Sequence, residues 1–139
     1  MDVAVLVYDG VFDSGLAAIL DVLDGANAMG GELSDPPSWN VTKIGFRPQV
    51  TTGAGHLVAT QPVERAATAD LLIVPALAER RPEALLAHVA GPPSLPARDL
   101  IAQTYGQNTL IASACTGTFL LAESGILDGL RNRMGKLTP

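Results

Sequence analysis

The chain has 139 residues, enough for one domain and too few for two ordinary ones. Hydrophobic residues make up 47% of it and charged residues 17%, a balance that is typical of a buried core and excludes a disordered chain. The net charge is −5, whereas nucleic-acid binding needs a clustered excess of Lys and Arg. We therefore expect no direct nucleic-acid contact.

The cysteine content and the N-terminus indicate the compartment. A single cysteine excludes an internal disulfide and fits a reducing environment. The first ten residues, "MDVAVLVYDG", carry acid where a signal peptide has basic residues. No apolar run approaches the roughly 20 residues of a membrane span. The sequence predicts a soluble, cytoplasmic protein without a membrane partner.

The first predicted element is a buried strand over residues 3–8, a β-branched run that ends at "DG". Apolar residues at helical spacing follow it, and they predict a helix that Asp13 or Ser14 could cap and that "GG" at 30–31 ends. The proline-containing segment 33–38 predicts a loop.

The remaining segments continue to alternate between strands and helices. They are, in chain order, a strand over 39–46, a short hairpin or extended segment over 47–61, a strand over 70–74, a helix over 79–90 with Pro82 in its first turn, a helix over 97–107, a strand over 109–114 and a helix over 116–125. Buried strands that alternate with helices predict an α/β sandwich with a mostly parallel sheet and right-handed crossovers.

The candidate site follows from this fold, because open parallel sheets bind ligands beyond the carboxyl ends of their strands. Three strand ends are marked by Gly10, by Ala76 and by Cys115 with Thr116. A turn between a strand and a helix exposes its central side chain, and the N–H groups at the helix start favour a thiolate or an oxyanion. Cys115 is thus a nucleophile, a ligand contact, or a small buried residue packed at the turn.

Partners for Cys115 are scarce. His56 lies in the Gly-rich excursion and His88 late in a predicted helix, so we interpret both as ordinary exposed or partly solvated residues. Asp13 is the carboxylate near a strand end, with helix capping as its simpler role. We find no metal-ligand cluster and no dinucleotide-binding loop, and we expect no cofactor.

Three segments, "VAVLVYDGVFDSGLAAILDVLDGAN", "ADLLIVPAL" and "IASACTGTFLLAESGILDG", resemble the ThiJ/PfpI superfamily, also called class I glutamine amidotransferase-like. The resemblance is strongest to the N-terminal domain of AraC-family transcriptional regulators of the GlxA type. It implies a flavodoxin-like three-layer sandwich over residues 1–130 that commonly forms homodimers.

The resemblance also implies a site. It places Cys115 at the superfamily's nucleophile elbow and puts the usual acid partner at Gly15, so that Asp13 lies two residues early. Ala76 stands where glycines often help to form an oxyanion hole. A histidine that usually follows the elbow helix is missing.

These departures favour a ligand-sensing regulatory domain over an enzyme. Cys115, Thr116, Ala76, Asp13 and Gly10 are the predicted contacts for an unknown small molecule. The divergent basic tail over 131–139, with Arg131, Arg133 and Lys136, predicts a C-terminally truncated chain without the last strands and without the helix-turn-helix DNA-binding region.

Two alternatives remain open. One is a cysteine-dependent hydrolase or hydratase of the PfpI or isonitrile hydratase type. In it Cys115 would be the nucleophile, Asp13 the acid or base, and the N–H groups of Ala76 and Thr116 the oxyanion donors. The other is a decayed fragment with no activity.

Overall fold

A buried β-strand forms the centre of the sheet, as its uninterrupted apolar sequence predicts. The computed structural model describes residues 1–30 and 38–129, and its first strand, β1, covers Asp2–Leu6. Val5 and Leu6 have no exposed surface. A strand that is covered on both faces needs apolar side chains on both, and for this reason the segment does not alternate with polar residues.

Five strands form one parallel sheet, in the order β5-β2-β1-β6-β7. A separate antiparallel hairpin, β3-β4, lies beside it. The strands after β1 are β2 (Asn40–Gly45), β3 (Gln49–Thr51), β4 (Leu57–Ala59), β5 (Gln61–Pro62), β6 (Leu71–Val74) and β7 (Leu110–Ser113).

The described residues form four α-helices, of which the first three lie between strands and the fourth follows β7. They are α1 (Asp13–Met29), α2 (Pro82–Ala90), α3 (Leu95–Gly106) and α4 (Gly117–Glu123), with 3₁₀ turns at Val63–Thr68 and Pro92–Ser94. The chain steps from β1 to β2 in one direction and from β6 to β7 in the other. Because such crossovers are right-handed, the two steps place helices on opposite faces of the sheet. The predicted three-layer α/β sandwich with a mostly parallel sheet is confirmed.

Aliphatic side chains from both faces of the sheet form the core. The largest fully buried side chains are Leu6, Ile44, Leu72, Ile101, Leu120, Val3, Val5, Val7, Val11, Val74, Val89 and Thr104. This composition matches the low aromatic content of the sequence, 4%.

The start of α1 differs from the sequence prediction. Phe12 occupies the N-cap position, no side chain caps the helix, and Asp13 is the first helical residue. The predicted cap by Asp13 or Ser14 is wrong, because the Asp13 carboxylate is bonded to another segment, which is described below. In α2, Pro82 occupies the first turn as predicted.

The sequence predicts either a short hairpin or an extended segment over 47–61. The structure has the hairpin there, β3-β4. The predictions for Gly31, for the loop over 33–37 and for the tail over 131–139 lie outside the described residues.

Candidate functional site

The carboxyl ends of β1, β6 and β7 meet at one edge of the sheet. Beyond β1 and β6 the chain forms a short bridge between Val11 and Leu77, and the Ala78 N–H donates to the Gly10 carbonyl at 2.8 Å. Beyond β7, the Ala114 N–H donates to the Val74 carbonyl at 3.1 Å. The three segments that were expected to form a site are therefore neighbours.

Cys115 occupies the turn between β7 and α4. Its φ is 51°, in the left-handed region that few residues other than glycine adopt, and its side chain is exposed. This exposure excludes the interpretation of Cys115 as a buried packing residue. Strained backbone of this kind is common at functional sites.

Gly117 explains how α4 can begin so close to the sheet. A Cβ at residue 117 would lie 2.5 Å from the carbonyl oxygens of both Val74 and Pro75. Only glycine permits this approach, which brings the start of α4 against the end of β6. The sequence "CTG" thus has a steric reason as well as a possible chemical one.

Thr116 fastens the turn to the neighbouring strand end. Its Oγ1 accepts a hydrogen bond from the Leu77 N–H at 2.9 Å and donates to the Leu77 carbonyl at 3.0 Å. The Thr116 hydroxyl therefore makes its hydrogen bonds within the fold. Within residues 1–30 and 38–129, the backbone N–H groups of Cys115, Thr116 and Ala76 donate no hydrogen bond.

Gly10 and Ala76 support the same edge through their backbones. Gly10 has a φ of 80°, and its N–H donates to the Thr51 carbonyl at 2.9 Å. Ala76 is buried, and its carbonyl accepts from the Phe12 N–H at 2.8 Å. Both positions are therefore fixed by the fold, whether or not they contact a ligand.

Asp13 binds the loop between β3 and β4. Its carboxylate accepts hydrogen bonds from the Thr52 hydroxyl, from the Ala54 N–H at 2.9 Å and from His56 Nδ1 at 2.7 Å. These donors, the Thr52 hydroxyl foremost and His56 next, lower the pKa of Asp13 to about 2. Asp13 is thus an ionised anchor for the hairpin.

Position 15 lies beside Ala76. A Cβ on Gly15 would be 3.8 Å from the Ala76 Cβ and 3.3 Å from Cδ1 of the Phe12 ring. The resemblance implies an acid at this position, and the structure shows that a side chain here would contact the segment that follows β6. Glycine leaves that place without a carboxylate.

The two histidines have different surroundings. The His56 imidazole is 75% exposed, as its loop position predicts, and its bond to Asp13 could not be read from the sequence. His88 is half-buried in the last turn of α2, as the sequence predicts, and it also lines a cavity at the strand ends. In the described part of the chain, no group of three or more His, Cys, Asp or Glu could hold a metal ion.

This cavity, the strand-end cavity, has a volume of about 200 Å³ and lies between the ends of β1 and β2 and the segment that joins α2 to α3. Its lining residues are Tyr8, Asp9, Phe46, Arg47, Val50, His88, Pro93, Ser94, Pro96, Ala97 and Leu120. Sequence reasoning missed it. One signal in the sequence was that Arg47 directly follows the strand predicted over 39–46, at the edge where ligands bind.

Tyr8 lines the cavity and is bonded to the segment that follows β6. Its hydroxyl donates to the Pro75 carbonyl, and burial raises the pKa of the phenol well above its usual range. Tyr8 therefore stays neutral and presents its ring to the cavity.

Solved structures share this fold. An AraC family transcriptional regulator from Pseudomonas putida superposes with a TM-score of 0.67 at 16% identity, over 91% of this chain and 62% of that one. Toxoplasma gondii DJ-1 gives 0.62 at 18% identity, over 92% and 63%. The chain has the DJ-1/ThiJ/PfpI fold. A putative protease I from Bacteroides thetaiotaomicron gives 0.62 at 17% identity, over 92% and 70%.

At these identities the likeness is one of fold, and the flavodoxin-like fold that the resemblance implied is confirmed. The chain spans about 62% of the length of the regulator from P. putida. Neither the models of protein families nor the curated protein sequences give a match. Within the described residues, no helix is both long and apolar enough to cross a membrane.

Proposed function

We propose that the chain is a ligand-sensing regulatory domain of the kind found at the N-terminus of AraC-type transcriptional regulators, with Cys115 as a contact for a small molecule. The observation that carries this proposal is the glycine at position 15, beside Ala76. A cysteine nucleophile needs an acid or a base within hydrogen-bond reach, and this position offers none.

The nearest acid in sequence is used elsewhere. Both carboxylate oxygens of Asp13 accept hydrogen bonds from the hairpin loop, and the low pKa of about 2 keeps the group ionised. A general acid must carry a proton near neutral pH, and a general base works best with a pKa near the working pH. Asp13 therefore suits an anchoring role.

The structures that share the fold include a transcriptional regulator as well as DJ-1 and a putative protease I, so a regulatory role is one of those that this fold supports. The net charge of −5 means that DNA binding by such a regulator would need a separate basic module. We also propose that the domain forms a homodimer, as the resemblance implies.

A melting experiment tests the proposal. The chain is heated with amides, nitriles, isonitriles and glyoxals, and the remaining compound is quantified in the same samples. A sensing domain gives a compound that raises the melting temperature and is recovered unchanged, because binding to the folded state alone stabilises it. A compound that is consumed contradicts the proposal.

A cysteine-dependent hydrolase or hydratase is the second candidate. It is favoured by the exposed thiol of Cys115 and by the N–H groups of Ala76 and Thr116, which donate no hydrogen bond within the described residues and which an oxyanion hole would require. Its test is the variant Cys115→Ser. Turnover that this substitution abolishes supports catalysis, and turnover that survives it excludes Cys115 as the nucleophile.

A further inference from the structure

The strand-end cavity has a rigid apolar floor. Val50, Ala97 and Leu120 line it, and their side chains are 3%, 5% and 1% exposed. The Tyr8 ring adds a buried aromatic surface. A floor made of packed core side chains is pre-formed, so a ligand that enters does not need to order it.

Ser94 places an unpaired hydroxyl in this floor. The residue is 5% exposed and lines the cavity, yet its Oγ has no hydrogen-bond partner in the described parts of the chain. Ser94 Oγ is not among the fully buried unpaired side-chain atoms of the described residues, so it is open to the cavity and can bond a group that enters there. The cavity is therefore the place from which a partner would come.

The other polar side chains that line the cavity are Asp9, Arg47 and His88, and the last two have N–H groups that can donate to a ligand. Asp9 is satisfied, since its carboxylate accepts from the Arg47 guanidinium and from the Thr51 N–H at 3.0 Å. Arg47 uses its Nη2 for this pair, and its other N–H groups bond to nothing among residues 1–30 and 38–129. His88 likewise has an imidazole without a hydrogen bond in those ranges.

Three donors around an apolar floor fit a ligand that has an acceptor at one end. A guanidinium, an imidazole and a hydroxyl match a carboxylate, and charge-assisted bonds to such a group are the strongest of this kind. A volume of about 200 Å³ corresponds to six or seven waters at about 30 Å³ each, which suits a ligand of roughly seven to nine non-hydrogen atoms. We propose that the strand-end cavity binds a small organic carboxylate with an apolar body.

This inference goes beyond the proposed sensing function, because it assigns a second binding place at the same edge of the sheet and the class of ligand that would occupy it. It differs in location from the predicted contacts around Cys115. Cys115 is absent from the cavity lining. The two proposals can therefore fail separately.

The test uses the full chain and one matched pair of probes, hexanoate and its neutral analogue hexanamide. Titration followed by amide chemical shifts should show hexanoate shifting the resonances of Ser94, Ala97 and Leu120. Hexanamide should bind about tenfold more weakly, since it loses the charge-assisted bonds. Equal binding of the two probes, or shifts centred on Cys115, would overturn the proposal.

Variants locate the donors. Ser94→Ala should weaken hexanoate binding about fivefold, the value of one hydrogen bond, and His88→Gln should weaken it by a similar factor. Ala97→Leu should abolish binding by filling the floor without removing a polar group. Asp21→Asn, on the exposed side of α1 and outside the cavity lining, is the control and should leave the affinity unchanged. If Cys115→Ser abolishes binding while Ser94→Ala does not affect it, the ligand sits at the cysteine and this inference is wrong.

Different experimental results would contradict this inference and the proposed sensing function. Hexanoate that does not bind at millimolar concentration contradicts the cavity proposal alone. Turnover of a substrate that depends on Cys115 contradicts the sensing function, and it leaves hexanoate binding in the cavity as a separate measurement.

Discussion

Cys115 and Gly117 lie two residues apart in the same turn, and a side chain is tolerated at the first position and excluded at the second. Cys115 adopts a φ of 51° although it carries a side chain. Residue 117 must be glycine, because a side chain there would clash. Its Cβ would lie against the carbonyl oxygens of Val74 and Pro75. The turn is therefore fixed by steric contact at residue 117 and exposes residue 115.

The steric account predicts the outcome of a substitution at residue 117. Gly117→Ala should lower the free energy of unfolding by about 1–3 kcal/mol or more, since backbone atoms must move to admit the methyl group. Thermal and urea unfolding, followed by circular dichroism, measure the change.

The matched control is Gly25→Ala in α1, where a Cβ would meet nothing within 4 Å. This substitution should raise the free energy of unfolding by about 0.5–1 kcal/mol, because alanine favours the helix. If both variants have similar stability, the turn does not depend on the close approach of α4 to β6.

The residue scale also shows what the sequence could predict. The strand–turn–helix around Cys115 followed from "ASACTG" alone, because small residues mark such a turn. The role of Asp13 did not, since its partners Thr52, Ala54 and His56 lie about 40 residues away and no local pattern links them. Long-range polar contacts of this kind have no sequence period.

At the scale of elements, the β3-β4 hairpin is held to the start of α1. Asp13 contributes three of these contacts, and the Gly53 N–H donates to the Val11 carbonyl at 2.9 Å. Gly53 also packs against Ala78, where a Cβ at residue 53 would clash. The hairpin thus packs on the same sheet edge as the candidate site.

This anchoring predicts a pH dependence. The pKa of Asp13 is about 2 in the folded chain, below its ordinary value near 3.9, so its contribution to stability is complete above pH of about 4 and disappears as the pH falls toward 2. Asp13→Asn should therefore be less stable than the parent chain at pH 6, and the difference should shrink on acidification. Urea unfolding at several pH values measures it.

Asp21→Asn is the control for this experiment, because Asp21 is exposed on the same helix and has no hydrogen bond or ion pair among the described residues. Its stability difference should stay near zero at every pH. A pH-independent difference for Asp13→Asn would refute the anchoring role of the carboxylate.

Elements were easier to predict than their junctions. The long apolar strand β1 and the helices have a clear period or composition, and they were found. The strand-end cavity was missed because it depends on how the segment between α2 and α3, including Pro93 and Ser94, folds over the ends of β1 and β2. That placement is a tertiary property.

At the scale of the whole molecule, β7 is the last strand of the described sheet and presents one unpaired edge. Leu110 at its start is 62% exposed. Exposed strand edges pair readily with other chains. The proposed homodimer is thus expected to use this edge.

Leu110→Lys tests the proposed use of the edge. A charge beside the strand should weaken self-association about tenfold, measured by sedimentation velocity over a range of concentrations. Leu57→Lys, on the exposed face of the hairpin at 65% exposure, should leave association unchanged. Equal effects from the two substitutions would indicate association that does not depend on β7.

The central claim concerns the whole molecule as well, namely that it senses a ligand and that Cys115 does not catalyse a reaction. Intact-mass spectrometry tests it most directly, with the chain incubated with amides, nitriles, isonitriles and glyoxals and the same samples analysed for product. We expect no product and no adduct that depends on Cys115, so that any adduct of a glyoxal with Arg or Lys is the same in the parent chain and in Cys115→Ser. A covalent adduct or a product that forms with the parent chain and is lost in Cys115→Ser would contradict it.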